Sequence, residues 1–218
     1  GTVDTLAEIL ANGNTTGGTN LVVSSGDTLD VDGSIDANGT IKLDGNYPTG
    51  TRNVALGNDA LGSITSGADN VSIGAFAHNT NTTGGNSVAV GTSALYYNTT
   101  GSYNTAIGRD ALTSNTTANY NTAVGYKAMN DNVAGVENTA MGEGALKTNL
   151  SSYNVAVGRS AMVANTTGNR NVAVGEGSLK ANTTGVRNVA VGRTALIANT
   201  TGSYNTGLGM DTLGANTT

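Results

Sequence analysis

A glycine following a short apolar run recurs at Gly57, Gly74, Gly91, Gly108, Gly125, Gly142, Gly158, Gly175, Gly192 and Gly209. The spacing is 17 residues in eight of nine steps, and 16 between Gly142 and Gly158. Ten such units fill residues 53–218, with the full pattern visible in Asn171-Val172-Ala173-Val174-Gly175-Glu176-Gly177-Ser178-Leu179-Lys180-Ala181-Asn182-Thr183-Thr184-Gly185-Val186-Arg187. Seventeen residues are too few for a helix pair or a propeller blade, which take roughly 33–50. They suit one coil of a β-solenoid, in which each position of the unit stacks on its equivalent every ~4.8 Å. The fold class this predicts is all-β: a parallel β-solenoid, or β-roll, of ten coils.

With the opening Asn taken as position 1, each column has its own chemistry. Position 4 is always a branched or long aliphatic residue, from Leu56 and Ile73 to Val191 and Leu208. Position 9 is Leu or Met in nine units and His78 in the other. Both columns are expected to point into the coil. Position 3 is Ala in eight units, with Ser72 and Gly207 as substitutes. Strand alternation puts it opposite position 4, so its small side chains predict close approach of another backbone, that of a neighbouring copy. Asn fills nine of ten places at position 1 and nine of ten before the Thr-Thr-Gly corner, where stacked amides can bond along the axis. A single coil with two large aliphatics gains about 1.5–3 kcal/mol from each, against roughly 1–2 kcal/mol of backbone entropy per residue. A homotrimer burying its alanine stripes together is the expected remedy.

Composition closes off other classes. There is no Cys and only one His, so a disulfide scaffold, a thiolate metal site and a multi-histidine metal centre are excluded within one chain. The net charge of −5 offers no basic face for nucleic acid. No apolar run approaches the ~18–20 residues that span a bilayer. Residues 1–52 carry seven acids against Lys42 and Arg52, whereas residues 53–218 balance eight acids with eight bases. We therefore expect no catalytic residue, cofactor, metal, nucleic-acid partner or membrane insertion.

The tandem Asn-Val-Ala-Val-Gly-x-x-Ala-Leu pattern, closest at Asn86-Ser87-Val88-Ala89-Val90-Gly91, resembles the head repeats of YadA-like trimeric autotransporter adhesins. That resemblance implies a three-chain parallel β-roll. The units here are longer than the usual adhesin unit because of the added Asn-Thr-Thr-Gly corner, and in this they look like repeats of bacteriophage tail-fibre proteins. Residues 1–52 form a separate segment. Thr5-Leu6-Ala7-Glu8 is a capping-box pattern with Leu6, Ile9 and Leu10 at helical spacing. Alternating segments near 20–24, 28–31, 34–37 and 40–43 then predict a small β connector or trimerisation region. From Asp4 to Val23 this segment is similar to fibre and neck proteins of cyanophage-like viruses. The resemblance implies a structural fibre segment of a phage virion, joined at its N-terminal end to a virion attachment protein. It would hold or form a surface for a host glycan or protein. A bacterial trimeric adhesin head at the cell surface and a polysaccharide-cleaving tailspike are the alternatives.

Position 17 gathers Tyr103, Tyr120, Tyr153, Arg170, Arg187 and Tyr204. Tyr and Arg concentrate binding energy at interfaces, so this column is the candidate ligand contact, with stacking at a corner as the structural alternative. At position 6, Glu143, Arg159, Glu176 and Arg193 alternate in sign. They read as a solvated ion ladder rather than a glycosidase carboxylate pair. His78 reads as a partly exposed packing substitute, although three copies could converge on an ion. Asp30, Asp32 and Asp36 lack the rest of a calcium loop. The Asn-x-Ser/Thr sequons at Asn98, Asn115, Asn165, Asn182 and Asn199 recur because the corner recurs.

Overall fold

The computed structural model describes residues 51–218. The helix and connector strands expected before residue 44 lie outside the described residues. The repeats form one ten-stranded parallel sheet in which sequence order is spatial order. Its strands are three residues each, from β1 (Val54–Leu56) through β5 (Thr122–Val124), β6 (Thr139–Met141) and β7 (Val155–Val157) to β10 (Thr206–Leu208). Every pairing is in register with the repeat: Thr122 lies beside Thr139, and Thr139 beside Val155. The missing residue between Gly142 and Gly158 is absorbed at the corner after Asn149. There Ser151 takes the place of the corner glycine, and its hydroxyl donates to the Gly168 carbonyl.

Coil-to-coil pairing does not stop at the strands. The amide of Gly74 donates to the Leu56 carbonyl at 2.7 Å, that of Phe76 to Asn58 at 2.8 Å, and that of Leu61 to Ala77 at 3.0 Å. The same bonds recur one unit later at Gly91, Ser93 and His78. Most of each turn is therefore tied to its neighbours, which answers the backbone polarity that a thin coil would otherwise leave unpaired.

The two faces of the strand are the reverse of the sequence expectation. Position 3 points inward: Ala89, Ala106, Ala123, Ala140, Ala156, Ala173 and Ala190 are fully buried. Position 4 points outward, leaving Leu56 43 %, Ile107 40 % and Met141 45 % exposed. The interior is filled by the position 9 Leu and Met side chains, the position 3 alanines and a second alanine column at position 8, including Ala94, Ala111 and Ala128. A Cβ built on Gly207, at position 3, would stand 3.3 Å from Leu196 Cγ. The two walls of the coil are thus so close that one Leu and one Ala span the gap. Small residues did mark close approach, but the approaching backbone is the chain's own opposite wall.

That flattening requires sharp bends. Non-glycine residues at positions 7, 9 and 17 adopt left-handed φ, for example Lys127 at 54°, Met129 at 47° and Tyr120 at 60°. Such a conformation costs about 1–2 kcal/mol per residue. Full burial of a Leu or Met contributes about 1.5–3 kcal/mol, which at position 9 offsets it. The polar half of the interior is an asparagine lattice. Asn70 at position 1 and Asn81 at position 12 both donate Nδ2 to the Gly84 carbonyl at 2.9 Å. Position 1 oxygens accept the amide of the next coil, as Asn104 Oδ1 does from Asn121 at 3.0 Å. Position 12 amides also bond up the axis, Asn115 to Asn98 and Asn182 to Asn165 at 2.8 Å.

Two glycines of one coil separate stacking from conformational demand. A Cβ on Gly142, with φ 130°, would meet the Gly158 carbonyl carbon and oxygen at 2.6 Å, whereas one on Gly144, with φ 63°, meets nothing within 4 Å. Gly142→Ala is expected to cost about 3 kcal/mol or more and Gly144→Ala about 1 kcal/mol, read from denaturant melts. Equal losses would contradict the stacked-glycine geometry.

Candidate functional site

The chemistry-bearing side chains stand in three places. The first is the position 17 column, which lies on left-handed backbone immediately before the position 1 residue of the next unit. Tyr103, Tyr120, Tyr153 and Tyr204 are all exposed. The Tyr103 and Tyr120 rings stack with centroids 5.0 Å apart and planes within 6°. The Arg170 guanidinium lies over the Tyr153 ring at 5.1 Å, and that of Arg187 over Tyr204 at 5.4 Å while donating to its hydroxyl at 2.5 Å. All six sequence-predicted contact residues therefore share one column, in which they stack as three separate pairs, Tyr103 with Tyr120, Arg170 with Tyr153 and Arg187 with Tyr204. At the N-terminal end of the same column, Arg52 grips the Asp69 carboxylate with two bonds of 2.6 Å. That contact raises the arginine and lowers the carboxyl from their ordinary values, chiefly through the side-chain hydrogen bond.

The second place is the position 6 column. Arg159 pairs with Glu176, while Arg193 reaches forward to Met210 Sδ at 3.3 Å and Asp211 at 4.0 Å. A small hollow of about 100 Å³ opens where Gly177 lacks a side chain, lined by Arg159, Ser160, Glu176, Lys180 and Thr194 among others. Its charges are mixed and already partly paired. Among the described residues no group of His, Cys, Asp and Glu is placed to hold a metal ion.

The third is an aromatic cluster that the column reading missed. Phe76 meets Tyr96 edge-on at 6.3 Å, and Tyr96 meets Tyr97 edge-on at 4.6 Å. Phe76 occupies position 7 of one coil, and the tyrosines positions 10 and 11 of the next. No single column collects them, so the only signal was three rings at positions where other units carry none.

His78 is a correction to the sequence reading. It is fully buried inside the coil rather than partly exposed, so copies in neighbouring chains could not converge on an ion through it. Its Nδ1 lies 3.0 Å from the hydroxyl of Ser72, and its Nε2 has no hydrogen-bond partner. Ser72 is the residue that replaces Ala at position 3 of the same unit. The two exceptions thus form one buried polar pair. Burial pushes the imidazole down to about 3 from its ordinary 6.5.

Comparison with family models, with curated proteins and with solved structures finds no match.

The folded chain keeps His78 neutral while the unfolded chain takes up a proton below pH 6.5, so stability is lost as pH falls from about 6.5 towards 3. The loss attributable to His78 is about 2 kcal/mol by pH 5. It should disappear in the Ser72→Ala/His78→Leu double variant, and an unchanged pH profile in that variant would contradict the assignment. The sequon asparagines are fully buried, with Asn98 Nδ2 donating to Gly101 O at 2.9 Å and to Asn81 Oδ1 at 3.3 Å. In a glycosylating expression host, mass spectrometry should find glycans at Asn98, Asn115, Asn165, Asn182 and Asn199 only on misfolded, protease-sensitive chains. A folded, protease-resistant product glycosylated there would refute the lattice.

Proposed function

We propose that the chain is a structural fibre segment of a phage virion, a homotrimeric rod that carries a host-attachment surface away from the particle. The observation that carries the reading is the outward aliphatic column at position 4. Leu56, Ile73, Ile107, Met141 and Val191 form one strip along the sheet, each more than a third exposed. A continuous apolar strip of this kind marks an association surface. Flat, parallel, equal-length rungs let identical copies bury it side by side. The trimer expected from the sequence is kept, with its contact face moved from the alanines to these aliphatics.

The repeat supports a mechanical role. Ten rungs at ~4.8 Å give a stack about 50 Å tall. Strand edges remain only at its two ends, so its sides offer no template for strand addition. The N-terminal segment would join the rod to a virion attachment protein. The Tyr and Arg ladder is the surface proposed to touch a host glycan or protein. The resemblance to adhesin head repeats and phage fibre repeats points the same way.

Sedimentation equilibrium should give about three times the chain mass of 21.6 kDa. Ile107→Asp, which places three carboxylates on the shared strip, is expected to yield a monomer with an unchanged β-type circular dichroism spectrum. A monomeric mass for the unaltered chain would contradict the proposal.

A further inference from the structure

Between the Tyr103–Tyr120 stack and the Tyr153–Arg170 stack the position 17 column has a rung with no ring or guanidinium, and that gap is built like a receptor for a planar cation. In axial order the column runs Tyr103, Tyr120, Glu137, Tyr153, Arg170. Tyr103 covers one face of Tyr120, and Arg170 covers one face of Tyr153. An open hollow beside this rung is lined by Tyr120, Glu137 and Thr139, and Tyr153 holds the same column position one rung further on. The register of β5, β6 and β7 makes these three rungs consecutive, despite the one-residue deletion nearby. Glu137 is exposed, on left-handed backbone with φ 56°, and its carboxylate makes no hydrogen bond or ion pair among the described residues.

The column calibrates what such a gap accepts. Ring-to-ring and guanidinium-to-ring separations between adjacent rungs are 5.0, 5.1 and 5.4 Å. Two rungs separate Tyr120 from Tyr153, about 9.6 Å at the sheet spacing. A flat group at the middle rung therefore stands about 5 Å from both rings, as Arg170 already stands from Tyr153. Aromatic faces attract cations, and guanidinium is the cation that both stacks on rings and pairs with a carboxylate through two parallel bonds. A neutral sugar would use the rings and leave the charge of Glu137 unanswered.

We propose that Tyr120, Glu137 and Tyr153 form a slot for an arginine side chain of a protein partner. This deepens the attachment reading by naming the partner chemistry, and rests on that reading only for where the partner resides. One slot is weak, and three copies on a trimer would act together through their high effective concentration.

The test is titration of the full chain, with 13C-labelled tyrosine rings, by N-acetyl-arginine amide and, separately, by methyl glucoside. Arginine amide should shift the Tyr120 and Tyr153 rings saturably, leave Tyr204 nearly unmoved, and bind less tightly as salt is raised. Glu137→Gln should raise the Kd about five-fold or more. Glu137→Arg should abolish binding and raise the melting temperature, because the chain then fills its own slot. Equal binding to Glu137→Gln and the unaltered chain, or ring shifts with methyl glucoside alone, would overturn the proposal. Sedimentation of the same sample keeps the two readings apart. A trimer without ring shifts removes the slot alone, and a monomer with them removes the trimeric rod alone.

Discussion

The contact on which the rest of the structure depends is that of a position 3 alanine with the position 9 Leu or Met facing it across the coil. Because a single large side chain spans the interior, the walls lie close and the bends between them are sharp. Left-handed backbone at positions 7, 9 and 17 follows from those bends. So does the stacking of the position 5 glycines, where any Cβ would strike the next coil's carbonyl. The outward placement of the position 4 aliphatics follows as well, since a three-residue strand with an inward centre must turn its two ends out.

The remaining interior is polar, and its order is of a different kind. Hydrophobic packing is non-directional, whereas each asparagine amide selects one carbonyl within its coil and one partner along the axis. An amide left unmatched in such a place costs about 1–3 kcal/mol, more than a well-matched one contributes, so the lattice penalises slipped registers. Ser87, which replaces Asn at position 1 in one coil, keeps the pattern by accepting the Asn104 amide through its hydroxyl at 3.0 Å. The Ser151 corner keeps it by supplying a carbonyl to Asn149 at 2.6 Å one residue early.

The period, the ten coils, the parallel pairing and both asparagine columns were legible in the sequence, because a solenoid repeats the same environment and each column averages over ten examples. The inside and outside of the strand were not. Alternation says that positions 3 and 4 oppose each other, but the choice between them depends on the distance to the far wall, and size was read as if the coil were wide. The Ser72–His78 pair was visible as two exceptions in one unit, yet their contact runs between columns that were read separately. The Tyr and Arg ladder was identified from its column. Its internal stacking, and the gap at Glu137, needed the rung geometry. Phe76, Tyr96 and Tyr97 were illegible because they meet across three different columns.

The central claim is that alanine, not the larger aliphatic, faces the interior of each coil. It is tested most directly by methyl–methyl nuclear Overhauser contacts in the folded chain. The repeat geometry seen at Gly207 and Leu196 predicts a strong contact from the Ala123 methyl to the Leu112 methyls, eleven residues earlier, and none from Val124 to Leu112. A strong contact from Val124 to Leu112 with none from Ala123 would turn the coil inside out and contradict the account.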